Sequence, residues 1–305
     1  MNGREAPPDD RVIEGKLSAA VVPDNIGMTL ARNALTNLVR WCAFITPPPP
    51  ASFLRPHLLA IAASIVTLFA VLASMFLLDT AASDWARRLP RWFIDVFEQI
   101  TNFGLSGWFL IPLGVVLLCL AAVVTPALSR LSQAVLTALA ARVGFLFLAI
   151  GEPGLFVTIV KRLIGRARPY VGSHDDPFAY RPFIWRPEYA SMPSGHATTA
   201  VAAAIAIGAV WPRARWIMWL YALVIMFSRV VVLAHHPSDV IAGALVGAAG
   251  AFLLRRWFAG RRVVFRASDL RAHRGPSWPQ IKAAFREVVF GVRPKALKSL
   301  KIMPD

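Results

Sequence analysis

Charge is what this sequence has least of. Asp, Glu, Lys and Arg make up 16% of its 305 residues, and acids are the scarcer kind, 17 against 33 Lys+Arg. A soluble globular chain carries about 25% charged residues, so an ordinary water-soluble domain is excluded. Cysteine is scarce too. Cys42 and Cys119 are the only two, and Cys119 stands inside an apolar run, which excludes a disulfide framework. The 56% hydrophobic content excludes disordered and fibrous chains. A net charge of +16 points towards nucleic acid, but a nucleic-acid binder does not carry several long uncharged apolar runs. No nucleic-acid partner is expected.

Those runs are what is present. A helix crosses a bilayer with about 20 mostly apolar residues, and six stretches qualify: residues 57–78, 108–124, 143–160, 197–211, 216–233 and 240–254. The third holds Glu152-Pro153-Gly154, an acid and a breaker within an apolar run. An amphipathic helix is expected over residues 26–45, followed by a stiff Pro47–Pro50 connector, and a second amphipathic segment over 281–289. No signal peptide is evident before the first span. The organisation read here is an N-terminal segment over 1–56, a six-span membrane domain over 57–258 and a basic tail over 259–305. An even span count places both termini on one side. The chain from residue 255 onward holds 13 Lys/Arg against three acids, so the positive-inside rule puts the termini in the cytoplasm. The loop 161–196, with six Lys/Arg and three acids, then lies outside, where topology alone does not place basic residues.

Three clusters share that external side. Lys161-x6-Arg168-Pro169 closes the third span, Pro193-Ser194-Gly195-His196 opens the fourth, and Ser228-Arg229-x5-His235-x3-Asp239 joins the fifth to the sixth. Each alone has an ordinary explanation: cations snorkelling at a helix end, a helix cap, or, for His235, His236 and Asp239, a metal site, for which no carboxylate cluster is at hand. Together they describe an anion cradle. Lys161, Arg168 and Arg229 supply fixed positive charge, with guanidinium forks matched to phosphate oxygens. Ser194 and Gly195 open a helix whose first N–H groups bind anions. Two histidines from different segments suit a nucleophile and a proton donor for phosphoryl transfer.

This three-part pattern resembles the signature of the type 2 phosphatidic acid phosphatase superfamily, which is related to the vanadium haloperoxidases; every motif position is filled at the family's spacing. The resemblance implies an all-α, six-helix membrane core and metal-independent hydrolysis of a lipid phosphate at the external face, without a cofactor. It implies that His235 attacks phosphorus and becomes a phosphohistidine, that Asp239 orients its imidazole, and that His196 protonates the leaving oxygen. Lys161, Arg168, Ser194, Gly195 and Arg229 become the phosphate ligands. Phosphatidic acid, phosphatidylglycerophosphate, undecaprenyl pyrophosphate and lipid A phosphate are the substrates implied. A lipid-to-lipid phosphotransferase would carry the same motifs; a non-enzymatic phosphate binder would not need the histidine pair. His236 is expected as an accessory residue beside the site, and Glu152, an intramembrane carboxylate, as an accessory candidate. Gly243-x3-Gly247 with Gly250 reads as a helix-packing face. The stripe Trp85, Leu89, Trp92, Phe93, Val96, Phe97 reads as core packing or as an interfacial helix beside the lipid's entry route.

Overall fold

The structure, a computed structural model, describes residues 26–45, 57–171, 176–266, 268 and 270–294. The leading polar segment, the Pro47–Pro50 connector, His174, Asp175 and the last lysines lie outside the described residues. Ten α-helices are described: α1 Ile26–Ile45, α2 His57–Leu77, α3 Asp79–Arg87, α4 Arg91–Asn102, α5 Gly107–Val123, α6 Arg130–Ile164, α7 Gly195–Val210, α8 Arg215–Val231, α9 Pro237–Gly260 and α10 Trp278–Phe290. Among the described residues the only bridge pairings are two isolated ones, Arg166 with Tyr180 and Phe265 with Ala272.

Helix α7 occupies the centre, packed against α6, α8 and α9. Its composition explains this position. It is built mainly of Ala with a few Val, Ile and Thr, and most of it is fully buried. Small side chains allow neighbouring backbones to approach closely. On α9, a Cβ at Gly243 would stand 2.3 Å from the Ser194 carbonyl oxygen, and one at Gly247 would stand 2.4 Å from that of Thr198. The Thr198 hydroxyl then bonds Gly243 O and Ser194 O, both at 2.9 Å. Gly250 faces Pro153 of α6 in the same way. The expected glycine face is therefore the seam on which α9 meets both partners.

Four helical stretches are long and apolar enough to cross a membrane: 91–123 (α4 with α5), Arg130–Ile164, Pro212–Val231 and Pro237–Gly260. The end of α2 and α3 make a fifth if their 49° bend is one broken span. The expected span at 197–211 is a 16-residue helix, too short by length alone. It is enclosed by other helices, so it does not need a full lipid-facing length. The span holding Glu152-Pro153-Gly154 is one continuous helix: α6 runs for 35 residues through Pro153. Ser129 caps its start, accepting from Ser132 N, and Gly165 ends it at φ 64°. A Cβ on Gly165 would fall 1.8 Å from the Arg181 carbonyl oxygen.

The two amphipathic segments are helices, and both pack at the end of the bundle away from the motifs. Asn37 of α1 donates to the free carbonyls of Ala121 and Val124 at the end of α5, at 2.8 and 2.7 Å. Glu287 of α10 accepts from Ser129 N at 2.8 Å and from the Ser129 and Ser132 hydroxyls at 2.6 and 2.5 Å. Between α9 and α10 the chain turns back onto the bundle, burying Phe265 against Phe145 and Phe258. Cys42 and Cys119 are free and exposed.

Candidate active site

The three motifs meet at the other end. Lys161 sits in the last turn of α6, Ser194 is the N-cap of α7, Arg229 lies in the last turn of α8, and His236 caps α9 with Asp239 at its third position. Up-and-down connectivity brings these distant segments together. The described parts of the loop between α6 and α7 are tied back to the end of α6, Arg181 N donating to Gly165 O (2.7 Å), Ala167 N to Ala179 O (2.9 Å) and Ser191 N to Arg166 O (3.1 Å).

Four cations converge here, and they fall into two kinds. Arg166 is fully buried and neutralised on both sides, by Asp79 at 2.7 Å and Asp239 at 2.5 Å. Burial opposes its charge, but Asp239 and Asp79 outweigh that and raise its pKa. Its remaining donors reach Pro177 O and the Ser238 hydroxyl. Lys161, Arg168 and Arg229 differ. Among the described residues no carboxylate pairs with any of them. The Arg229 guanidinium donates to the Thr101 hydroxyl at 2.5 Å, and among the described residues its Nε is buried without a partner, as is the Nε of Arg168. A buried donor left unmatched costs about 1–3 kcal/mol, and three cations held together repel one another. An anion relieves both penalties.

The histidines face this cluster. His196, one residue into α7, lies in the electrostatic field of Arg229, Arg168 and Lys161. Gly104, in the turn after α4, makes room for its ring: a Cβ there would stand 2.8 Å from His196 Cδ2. His235 is buried, with its backbone N–H on Arg229 O at 3.2 Å. Burial, then the charges of Arg229 and Arg168, hold its imidazole pKa well below the ordinary value, so it is a neutral base at physiological pH. The Ser194 hydroxyl is buried and unpartnered, and the space in front of Gly195 is open. Thus Lys161, Arg168, His196, Arg229 and His235 lie within electrostatic reach of one another, with Ser194 and Gly195 beside His196 at the start of α7.

Asp239 is more heavily committed than its spacing from His235 conveys. Oδ2 accepts from the Ser191 hydroxyl at 2.5 Å and from His236 N at 2.9 Å, and stands 3.9 Å from His235 Nδ1, beyond hydrogen-bond reach. Its carbonyl accepts from Ser194 N at 2.9 Å. One residue therefore ties all three motifs together. His236 sits beside Arg166 rather than the three unpaired cations; it is 1% exposed, with Nδ1 3.5 Å from the Ser83 hydroxyl of α3. Burial, then Arg166, push its pKa down to about 4, with Asp79 opposing. Glu152 lies nine residues before Lys161, about 13 Å along the helix, near Gly250 rather than the cradle.

Sequence reasoning missed Asp79, Arg166, Ser191, Ser83, Thr101 and Gly104. Asp79 had one signal, a lone acid closing an apolar run. Arg166 was one of several adjacent cations with nothing to set it apart. Thr101 and Gly104 carried none. Among the described residues no group of three or more His, Cys, Asp or Glu is placed to hold a metal ion.

The chain is similar to known proteins. Residues 142–262 match the PAP2 superfamily model. A lipid A 1-phosphatase of Rhizobium johnstonii is 33% identical over 72% of this chain and 87% of its own. A lipid A 1-phosphatase of Rhizobium etli is 30% identical over 73% and 93%. An undecaprenyl-diphosphatase of Sulfolobus acidocaldarius is 32% identical over 31% of this chain and 48% of its own. With its motifs filled and brought together in space, the chain belongs to the PAP2 superfamily.

Proposed function

We propose that this protein is a membrane lipid phosphatase that removes the 1-phosphate of a lipid A-type glycolipid at the external face of a six-span bundle, with both termini cytoplasmic. The observation carrying the chemistry is the set of three unpaired cations around two histidines. The substrate class rests on similarity to two lipid A 1-phosphatases along almost three quarters of the chain; the shorter likeness to an undecaprenyl-diphosphatase covers less than a third of it. A site at the bundle's end suits a lipid whose acyl chains stay in the membrane while its phosphate enters the cradle.

In this reading Lys161, Arg168, Arg229, Ser194 and the first N–H groups of α7 hold the phosphate oxygens and stabilise the charge that builds on them. A ring nitrogen of His235 attacks phosphorus as the bond to the sugar oxygen breaks, and His196 gives that oxygen a proton. Water then attacks the phosphohistidine, His196 takes its proton, and inorganic phosphate leaves with His235 restored. Asp239 serves mainly by holding the third motif against the first and second. No metal is required.

The test is phosphate release by the purified protein from lipid A, phosphatidic acid, phosphatidylglycerophosphate and undecaprenyl pyrophosphate. Lipid A is expected to be the preferred substrate, with turnover unaffected by chelators. His235→Ala is expected to lose roughly a thousandfold or more while eluting as a folded protein. Rapid quenching with labelled substrate should trap acid-labile protein-bound phosphate in the wild type alone. Full turnover by the variant excludes this mechanism, and label passing into a second lipid identifies a phosphotransferase.

A further inference from the structure

The tail helix α10 has two faces with opposite chemistry. Its inner face is fully used. Ala284 packs into a cluster with Leu131, Val135 and Leu136 of α6, bordered by Ile281, Val288 and the last residues of α5, Leu120, Val123 and Val124. Glu287 is consumed at the capped start of α6. Among the described residues its outer face has no such partner. Trp278, Phe285, Val289 and Phe290 are 73, 60, 51 and 69% exposed, and Lys282 and Arg286 are exposed between them. At 100° per residue, Trp278, Phe285 and Val289 form one row beside the docked edge, with Lys282 and Arg286 in the next row.

The level at which this helix sits matters. It packs on the first turns of α6 just where α5, uncharged over its 17 residues, comes to an end, which is where an apolar bundle leaves the hydrocarbon of a bilayer. Charge completes the case. Among the described residues after α9, the one carboxylate is Glu287, and it is turned inward, while Arg262, Arg266, Arg274, Lys282, Arg286 and Arg293 are exposed. Three more lysines, Lys295, Lys298 and Lys301, follow in the sequence. An apolar row bordered by basic residues at that level matches an anionic lipid surface, with the rings at the acyl boundary and the cations among the headgroups.

We infer that α10 is an interfacial helix whose outer face binds the anionic lipid of the leaflet opposite the active site. Bundle docking through Glu287 presents the outer row without a folding step, and the charge of the lipid surface sets how much of it is inserted. The inference is independent of the substrate assigned above, because α10 lies at the far end of α6 from the cradle.

The experiment uses the full chain with Cys42 and Cys119 replaced by Ser, carrying a fluorophore at Phe285→Cys or Val289→Cys, and at Arg274→Cys as a control. The protein is reconstituted in vesicles of phosphatidylcholine alone or mixed with phosphatidylglycerol. Nitroxide lipids are expected to quench positions 285 and 289 at least about twofold more than 274, and more in the anionic vesicles. The Lys282→Glu or Arg286→Glu change should shift the inserted population about fivefold for each charge removed, and added salt should act in the same direction. Phosphate release from a soluble phosphomonoester reports that each variant is folded. Quenching of 285 and 289 by aqueous iodide but not by lipid nitroxides overturns the inference. So does shielding from both quenchers with cross-linking between copies, which assigns the face to a second copy of the chain.

Discussion

At the scale of single residues the decisive contrast lies within the sixth to eighth positions of the first motif. Arg166 and Arg168 are two residues apart in sequence and opposite in role. Asp79 and Asp239 neutralise Arg166 in the interior, whereas Arg168 keeps an unmatched Nε. Removing one partner of a buried pair leaves an uncompensated charge, at about 3–5 kcal/mol. Asp79→Asn is therefore expected to lower thermal stability in detergent far more than Asp84→Asn on the same helix, and to reduce turnover because Arg166 also positions Asp239. The titration of His235 and His236 has a definite sign. Both folded-state pKa values lie below the ordinary 6.5, that of His236 at about 4. The unfolded chain therefore takes up protons first as pH falls below about 6.5, and stability is lost from there towards pH 4. Melting temperature measured across that range should fall steadily, and His236→Gln should make the decline shallower. A variant profile parallel to that of the wild type would remove His236 from the account. The candidate site residues were legible from the three motifs and the family they resemble; the pairing of Arg166 was not, because its partners come from residues 79 and 239, and nothing local marks such a pairing.

At the scale of helices, small side chains do what large ones do in soluble cores. Lipid is as apolar as leucine, so helices in a membrane gain from close packing more than from burial. The seam of α9 shows this: Gly243 and Gly247 bring backbone against the first turn of α7, the turn that carries Ser194 and His196. Gly243→Leu places side-chain atoms where the Ser194 carbonyl lies 2.3 Å from a Cβ. We expect a strongly reduced yield of folded protein and, in what remains, a loss of phosphate release per folded molecule. Gly250→Ala, whose Cβ would stand 2.4 Å from Pro153 Cγ and 3.4 Å from Glu152 Oε2, crowds α6 away from the second motif and should lower stability while sparing activity in the folded fraction; equal loss of activity at both sites would indicate general packing rather than displacement of the second motif. The stripe from Trp85 to Phe97 divides between the two expected roles. Phe97 and Trp85 contact Phe227 of α8, at 5.4 and 6.0 Å, while Trp92 is 68% exposed. Period-3.6 patterning identified these helices, but it could not say which apolar face meets protein and which meets lipid, since both are apolar.

At the scale of the whole molecule, all three motifs stand at one end and α1, α10 and the tail's return at the other. With the site at the external face, as proposed, an orientation experiment has a definite expected outcome. In the Cys42→Ser, Cys119→Ser background, a membrane-impermeant thiol reagent added to intact cells should label Arg186→Cys, in the loop between α6 and α7, and leave Arg213→Cys unlabelled until the cells are opened. The reverse pattern would place the site in the cytoplasm. The sequence by itself determined the membrane class, the helical periodicity, the three motifs and the family they signal, because these depend on composition and on short fixed spacings. Only the tertiary structure decided which cations stay unpaired, that Asp239 joins the three motifs through Ser191, Ser194 and Arg166 rather than hydrogen-bonding His235, and that Thr101 and Gly104 border the site. Pairing and desolvation depend on distances between segments far apart in the chain, and burial decides whether a charge is neutralised or left to attract a phosphate.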